Sequence, residues 1–370
     1  MQIEIYNMIV LNDKLNISLE AVCDSFSSLL WDIEYYKCGA FEVYIAASPR
    51  NIEIFQTGRI VGRDDDKEHF GLIESVELET DAEDGDYLIV KGRFLICLLE
   101  RRIIYPTFNF TKLVSYSQIV MNVVQHNACT SGIRKLPGLV VGCSSGSCWD
   151  AKTKLQVSYD NLMEWVYTIC EKIGGTANIR LSKTDNEQYE MIFELLQGTD
   201  RSILQEINPH IIFSDRYNNL LSFTYFTDTS VKKNYAYVLG KGEGEKRKRT
   251  TYFEGTEPSS LDRYEVYVDA KDISDEEQEN GETKPLSEEE YAELLKEKGK
   301  QSFVPITMKS ESQIAVQSTQ FQYSVDYFVG DFVTVEHHRF GIRQNKIQLV
   351  GMIESFDRNG KNLTPTFKDT

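Results

Sequence analysis

Gly71-Leu72-Ile73-Glu74-Ser75 and Gly351-Met352-Ile353-Glu354-Ser355 are nearly the same phrase written in two distant parts of one chain. The match is short, and its setting is what gives it weight. Each copy opens an extended segment that meets a turn dipeptide, Asp84-Gly85 in one case and Asn359-Gly360 in the other, and a second extended segment follows. Two related β-modules therefore flank a different middle. No catalytic constellation lies between them, which points to architecture rather than chemistry.

The rest of the chain is consistent with that reading. Its 370 residues suffice for about two to four domains with filled cores. Hydrophobic residues at 41%, charged at 26% and aromatics at 11% describe an ordinary globular protein. The abundant tyrosines and phenylalanines suit sheet surfaces and interfaces. A formal charge of −17 is too acidic for a protein whose main surface grips phosphates, so nucleic acid is expected to pass it rather than bind. Met1-Gln2-Ile3-Glu4-Ile5-Tyr6 lacks the basic start and apolar stretch of a signal peptide, and no run approaches a membrane span. Synthesis in the cytoplasm is the expectation, and seven irregularly spaced cysteines fit reduced thiols.

From residue 1 to 93 the signals are short strands: Ile3 to Tyr6, Phe41, Val43 and Ile45 in alternation, Ile73 to Leu78, and Tyr87 to Val90. They predict a first β-barrel module. An α+β middle domain over 94–200 follows. Leu95, Leu98 and Leu99 predict a short helix that Pro106 closes, and Leu113, Tyr116, Val120, Val123 and Val124 share a second helical face. Leu162, Trp165, Val166, Ile169 and Ile173 form the stripe of a third helix, capped by Ser158 and stopped by Gly174-Gly175. Met191, Phe193 and Leu195 alternate in a strand behind the helices. Over 201–270 strands return at Leu221 to Tyr225, Tyr235 to Leu239 and Tyr264 to Val268, opening a second module. Residues 271–312 read as an insertion, with the acidic stretch Asp272 to Glu282 as a solvated linker. Within it Ser287 and Glu290 form the capping box of a helix reaching about Lys298. Residues 313–370 complete the second barrel. The fold class is thus α+β, mostly β.

Several motifs invite a chemical reading. Gly142-Cys143-Ser144-Ser145-Gly146 satisfies G-x-S-x-G, yet the helix that should follow the nucleophile is absent from Ser147-Cys148-Trp149-Asp150, so small residues in a loop is the better reading. Cys143, Cys148, His337 and His338 lack metal-site spacing, and adjacent histidines on a strand point to opposite faces. Gly240-Lys241-Gly242-Glu243-Gly244-Glu245-Lys246 fails the phosphate-loop pattern. Lys246-Arg247-Lys248-Arg249 is a basic run suited to a solvated hairpin, with phosphate contact as the alternative. Asp64-Asp65-Asp66 is most simply a polar turn, and Asp81 to Asp86 lacks the alternating ligands of a calcium loop. No catalytic, cofactor-binding or metal residue is assigned.

Taken in order, a wider set of segments resembles the siphovirus tail-hub family, which is related in fold to the baseplate hub of contractile tails. They are Phe26 to Trp31 with Gly39 and Phe41-Glu42-Val43; Gly71 to Glu74; Lys91 to Leu95 with Leu99 and Arg101 to Ile104; Ser214-Asp215-Arg216 with Asn219-Leu220; Gly240 to Gly244; Leu261-Asp262-Arg263 with Val268-Asp269-Ala270; and Val325-Asp326-Tyr327 with Gly330 to Val335. The resemblance implies a baseplate-hub-like homotrimer with two tube-type β-barrel modules per chain. Six similar barrels would join a six-fold tube to a three-fold tip and line the genome exit channel. It also implies a virion location at the tail tip, and a distal tail protein, a tape-measure protein and tip or receptor-binding proteins as partners. DNA would pass without specific binding, and no cofactor is implied. The loop Gly142 to Cys148 departs from the family pattern, and no role is carried onto it. The alternative function is a tail-associated peptidase or cell-wall hydrolase with Ser144 as nucleophile. A hub of a phage-tail-like particle would read the same way.

Overall fold

The computed structural model describes residues 1–11, 14–81, 85–130, 132–184, 188–279, 282–303, 307–314 and 320–368. Alternation of buried and outward side chains places the first strands where a half-buried sheet needs them. They are β1 (Ile3–Leu11), β2 (Lys14–Cys23), β3 (Ser28–Glu34), β4 (Ala40–Ala46), β5 (Ile60–Arg63), β6 (Asp66–Asp81) and β7 (Gly85–Phe94). Phe41, Val43 and Ile45 are buried on β4, as are Leu88 and Val90 on β7. A short helix, α1 (Pro49–Ile54), starts where the Ser48 hydroxyl accepts the Asn51 N–H. The lateral order is β3-β4-β7-β6-β5-β1-β2, antiparallel throughout. Asp84, of the first turn dipeptide, lies outside the described residues, as do 82 and 83.

The middle begins with a tight 3-10 turn, Leu95–Arg101, whose Leu95, Leu98 and Leu99 are buried. Then come β8 (Phe108–Ser115), α2 (Tyr116–Val124), β9 (Leu139–Ser144), β10 (Lys152–Val157), α3 (Leu162–Ile173), β11 (Thr176–Lys183) and β12 (Tyr189–Leu196). Two expectations need correction. Leu113 lies on β8 and is exposed, because Ser115 caps α2 by accepting the Gln118 N–H and the helix cannot extend behind its own cap. The cap of α3 is Asn161, not Ser158: its Oδ1 accepts the N–H groups of Met163 and Glu164 at 3.0 and 3.3 Å. Gly174, at φ 75°, ends α3 in the left-handed conformation that a side chain disfavours. Met191, Phe193 and Leu195 are buried on β12 as their alternation predicts.

Beyond residue 200 come β13 (Ile212–Ser214) and β14 (Leu220–Asp228). The chain then leaves the sheet for β15 (Tyr235–Leu239), β16 (Arg249–Tyr252), β17 (Glu265–Asp269), β18 (Glu276–Glu279), β19 (Glu282–Pro285) and α4 (Glu288–Gln301). It returns as β20 (Thr307–Ile314), β21 (Phe332–His337), β22 (Ile342–Asp357) and β23 (Gly360–Lys368). The strands of Tyr235 and Tyr264 therefore do not extend the second module. They form their own three-stranded sheet, β16-β15-β17, on which α4 packs. Ala236, Val238, Val268, Tyr291, Leu294 and Leu295 give that unit a core of its own. The acidic stretch is no bare linker, since Glu276–Glu279 pairs antiparallel with Glu282–Pro285. The capping box of α4 is formed by Ser287 and Glu290 as expected. The last strands were expected to resume at about Gln313; β20 already runs over Thr307–Ile314, and residues 315–319 lie outside the described set.

The repeated pentapeptide falls on β6 and β22, each 16 residues long and each paired antiparallel with the next strand of the chain, β7 or β23. The correspondence spreads to whole strand sets. The first reads β3-β4-β7-β6-β5-β1, the second β14-β20-β23-β22-β21-β13, and both orders map one onto the other in chain sequence. One difference is that β1 runs antiparallel to β5 whereas β13 runs parallel to β21. The second half of β22 also pairs with β3, from Gly351↔Glu34 to Phe356↔Leu29, so both sets share one sheet and one core. Among the described residues no pairing closes either set into a barrel, and the path ends at β14 and β2.

Candidate functional site

The place where the two strand sets meet holds a buried polar network. It is built on Arg63, the last residue of β5, which is 1% exposed. Its guanidinium faces Asp65 with two bonds of 2.8 Å and Glu354 with bonds of 3.0 and 3.3 Å. It also lies over the rings of Phe356 at 4.8 Å and Trp31 at 5.5 Å. Glu354 belongs to the second pentapeptide, stands opposite Trp31 in the β22–β3 register, and also pairs with Lys361. Burial alone would weaken the charge on Arg63, but Asp65 and Glu354 overturn that effect and hold it ionised. A buried charge is tolerable only with such partners.

The three aspartates expected to be a polar turn all have specific work here. Asp64 accepts the Gln2 N–H at 2.7 Å, and Asp65 holds Arg63. Asp66 accepts the Trp31 indole N–H at 3.0 Å and the backbone N–H groups of Glu68 and His69. Its Oδ2 also lies 2.9 Å from His69 Nδ1. Burial works against the Asp66 carboxylate, yet His69 and these donors bring its pKa well below the usual range. Burial likewise opposes charge on His69, and Asp66 reverses that and raises its pKa. The pair borders a cavity of about 270 Å³ that Tyr167, Asn178 and Tyr323 also line.

Tyr35 extends the joint to the middle of the chain. Its N–H donates to Val350 O at 2.8 Å, and its hydroxyl donates to Gly174 O at 3.2 Å while accepting the Gly198 N–H at 2.9 Å. The approach needs two glycines. A Cβ on Gly330, which has φ 102°, would sit 2.2 Å from the Tyr35 ring, and one on Gly198 would sit 1.8 Å from Gly330 O. Buried Asp331 then accepts the Thr199 N–H at 2.7 Å and Arg201 Nε–H at 2.8 Å.

The residues singled out in the sequence lie elsewhere and are not brought together. Ser144 ends β9 on the surface, no helix of α type follows it, and no hydrogen bond joins it to a histidine among the described residues. Cys143 donates to Glu194, which is already bound bidentately by Arg180, while burial pushes the Cys148 thiol up to about 11. Among the described residues no cluster of ligating side chains could hold a metal ion. His337 and His338 both turn to Asp215, which accepts the His338 N–H at 2.9 Å and lies 3.5 Å from His337 Nδ1. Asp215, Ser214 and Asn219, all within the resemblance, hold the corner from β13 to β14: Asn219 Oδ1 accepts the Ser214 N–H and its amide donates to Ile212 O. The run Lys246 to Arg249 sits in the β15–β16 hairpin, as expected. Arg247 is committed to Gly240 O, Leu239 O, Tyr267 and Asp269, and Lys248 to Asp275. Asp81 pairs with Gly85 at the end of β6, with 82–84 outside the described residues. Sequence reasoning missed Arg63 and Tyr35, and it placed Asp331 within the resemblance without a role. The available signal was the glutamate shared by both pentapeptides, since Glu74 is held bidentately by Arg93 much as Glu354 is by Arg63.

Comparisons with known proteins bear on the whole chain. The model of the family described as Siphovirus ReqiPepy6 Gp37-like protein matches residues 3–367. No curated protein matches the chain. Among solved structures it is similar to the tail protein from Neisseria meningitidis MC58, with a TM-score of 0.56 and 13% identity over 99% of this chain and 96% of that one. It is similar to the 43 kDa tail protein of prophage MuSo2 from Shewanella oneidensis, with a TM-score of 0.54 and 11% identity over 99% and 98%. A third similar structure is prophage tail protein gp18 from Listeria monocytogenes EGD-e, with a TM-score of 0.54 and 12% identity over 100% and 95%. At these identities the likeness is one of fold. No described helix is long and apolar enough to cross a membrane.

Proposed function

Since the chain belongs to the Siphovirus ReqiPepy6 Gp37-like protein family and carries the fold of solved tail proteins, we propose that it is a structural tail protein acting as a trimeric hub. The observation that carries this reading is the strand order written twice in one chain. Three copies would present six similar strand sets, each a tube-type barrel module, which is what a piece between a six-fold tube and a three-fold tip requires. The buried Arg63–Glu354 joint fits that role, because it ties β5 of the first set to β22 of the second within each chain. In this reading the hub sits at the tail tip and lines the genome exit path. Its neighbours are a distal tail protein, a tape-measure protein and tip or receptor-binding proteins. DNA slides past an acidic wall without specific binding, and any wall hydrolysis belongs to another protein. Domains follow as 1–93, 94–200 and a second module beginning near 201, with the β15-to-α4 unit as an insertion in it.

Light scattering tests the stoichiometry. A chain of 42.5 kDa should appear as a trimer at high concentration or with the neighbouring tail protein present. A strict monomer in both conditions would remove the hub reading.

A further inference from the structure

Three arginines crowd one place in the middle of the chain with no acid among them. Arg101, Arg102 and Arg134 line an open hollow of about 480 Å³, whose other walls are Tyr105, Tyr159 and the isoleucines Ile103 and Ile133. In a chain of net charge −17 such a concentration needs a reason. Among the described residues none of the three has an ion pair. Arg102 donates to the backbone carbonyls of Arg134, Arg101 and Lys135, and Arg134 to those of Tyr105 and Ile103. These bonds fix the guanidinium groups in place and leave their charge uncompensated. The Arg101 side chain has no hydrogen bond among the described residues. We propose that the hollow is a docking site for a short acidic segment of another protein. Carboxylates would meet the arginines, and an apolar side chain would lie against the tyrosines and isoleucines. One chain carries the whole hollow, so the proposal does not depend on the trimeric reading.

Four observations support this occupant. First, the positive charge works against itself: burial, Arg134 and Arg101 together lower the pKa of Arg102, a cost that an arriving anion removes. The other crowd of cations, around Lys172 and Lys368, is already matched by Glu297 and Glu171. Asp160, the acid beside Tyr159, lines a different recess with Asp272 and Lys298. Second, the walls are rigid before anything binds. The Tyr159 N–H donates to Ile104 O at 2.8 Å, that of Ile104 to Asp160 O at 2.9 Å, and that of Leu162 to Arg102 O at 2.9 Å. Walls held in this way lose little freedom when a ligand arrives. Third, Tyr159 sits at φ 59°, a conformation unfavourable for a tyrosine, yet its side chain is 68% exposed and gains little from burial. Its ring lies 6.1 Å from that of Tyr105, itself 56% exposed. Strain without burial is explained by a use for the ring outside the fold. Fourth, arginine and tyrosine beside apolar residues is the composition of protein-binding centres, and the guanidinium fork matches a carboxylate. The volume is that of a ligand pocket, about 300–1,000 Å³, which suits a few residues rather than a folded domain. A long polyanion would extend past the cluster over the acidic remainder of the chain, whereas a short segment stays within about one Debye length, roughly 8 Å, of the arginines.

The test is fluorescence polarisation with the full-length protein and a short labelled peptide of alternating glutamate and leucine. Binding should saturate at low salt and weaken as salt rises. Arg101→Glu alters a side chain without a hydrogen-bond partner in the fold, and should weaken binding by about tenfold or more. Tyr159→Gly should weaken it too, while thermal unfolding stays unchanged or moves upward, because glycine accepts the left-handed conformation. A loss of thermal stability in that variant with binding intact would make Tyr159 structural and overturn its part in the site. Absence of saturable binding, or binding that Arg101→Glu leaves unchanged, would overturn the proposal. Tighter retention of a single-stranded oligonucleotide of equal charge would do the same, by assigning the arginines to phosphates. Self-association that Arg101→Glu abolishes, with no peptide bound, would give the hollow to a second copy and likewise overturn it.

Discussion

Arg63 is the residue on which the two halves of the sheet depend, and its environment makes a quantitative prediction. Arg63→Met removes the cation but leaves Glu354 buried with only Lys361 to meet it, so urea denaturation should show a loss of about 3–5 kcal/mol. Making Glu354→Gln in the same background should recover part of that loss, since the uncompensated charge is then gone. The Asp66–His69 pair gives a pH signature. With its pKa raised in the folded state, His69 contributes stability that is fully present below about pH 6.5 and is lost as pH rises through the raised value. Asp66, depressed, contributes stability above about pH 4 that is lost as pH falls through its folded value. The stability difference between wild type and His69→Gln should thus be largest between about pH 4 and 6.5 and shrink as pH rises through the raised value; a difference flat in pH would mean the imidazole is not charged against Asp66. Ser144→Ala should change neither assembly nor infectivity, whereas hydrolysis of peptidoglycan that disappears in this variant would promote the hydrolase alternative. At this scale the sequence was a poor guide. A run of aspartates after an arginine looks like any surface turn, and only the tertiary partner Glu354, far along the chain, turns it into a buried seal.

Elements were far more legible than contacts. Period-two burial on β4 and β12 and the stripe of α3 reflect local rules, so they were readable without any partner. What local rules cannot say is which sheet a strand joins, and the aromatic strands at Tyr235 and Tyr264 were assigned to the second module for that reason. Because Asp228 of β14 pairs directly with Thr307 of β20, the inserted unit hangs from a hairpin. Replacing residues 229–306 with Asn-Gly removes β15 to β19 and α4, and should leave a folded protein that keeps the strand signal of the main sheet by circular dichroism and an unchanged association state by light scattering. Loss of the sheet on removal would show that the insertion is part of the main fold. The hairpin of the basic run gives a second element-scale prediction. The purified protein should retain no duplex DNA at physiological salt, and because Arg247 is held by its own unit, Lys246→Ser with Arg249→Ser, which spares it, should leave that result unchanged. Tight, salt-sensitive binding that these two substitutions abolish would place that loop on the DNA path.

At the scale of the whole molecule, the repeated pentapeptide proved to be the visible part of a larger repetition, two strand sets of the same order welded through β22 and β3. The remaining correspondence was hidden because strand order depends on pairings between residues far apart in sequence, and only the glutamate at the joint left a mark that a single chain could show. The formal charge of −17 belongs to this scale too, since in the proposed ring an acidic channel wall would repel a polyanion instead of holding it. Electron microscopy of the purified, associated protein tests the central claim most directly. The account predicts a three-fold ring with an open centre bounded by six similar lobes, two from each chain. Compact particles without a central opening, or a ring whose lobes do not come in sixes, would contradict it.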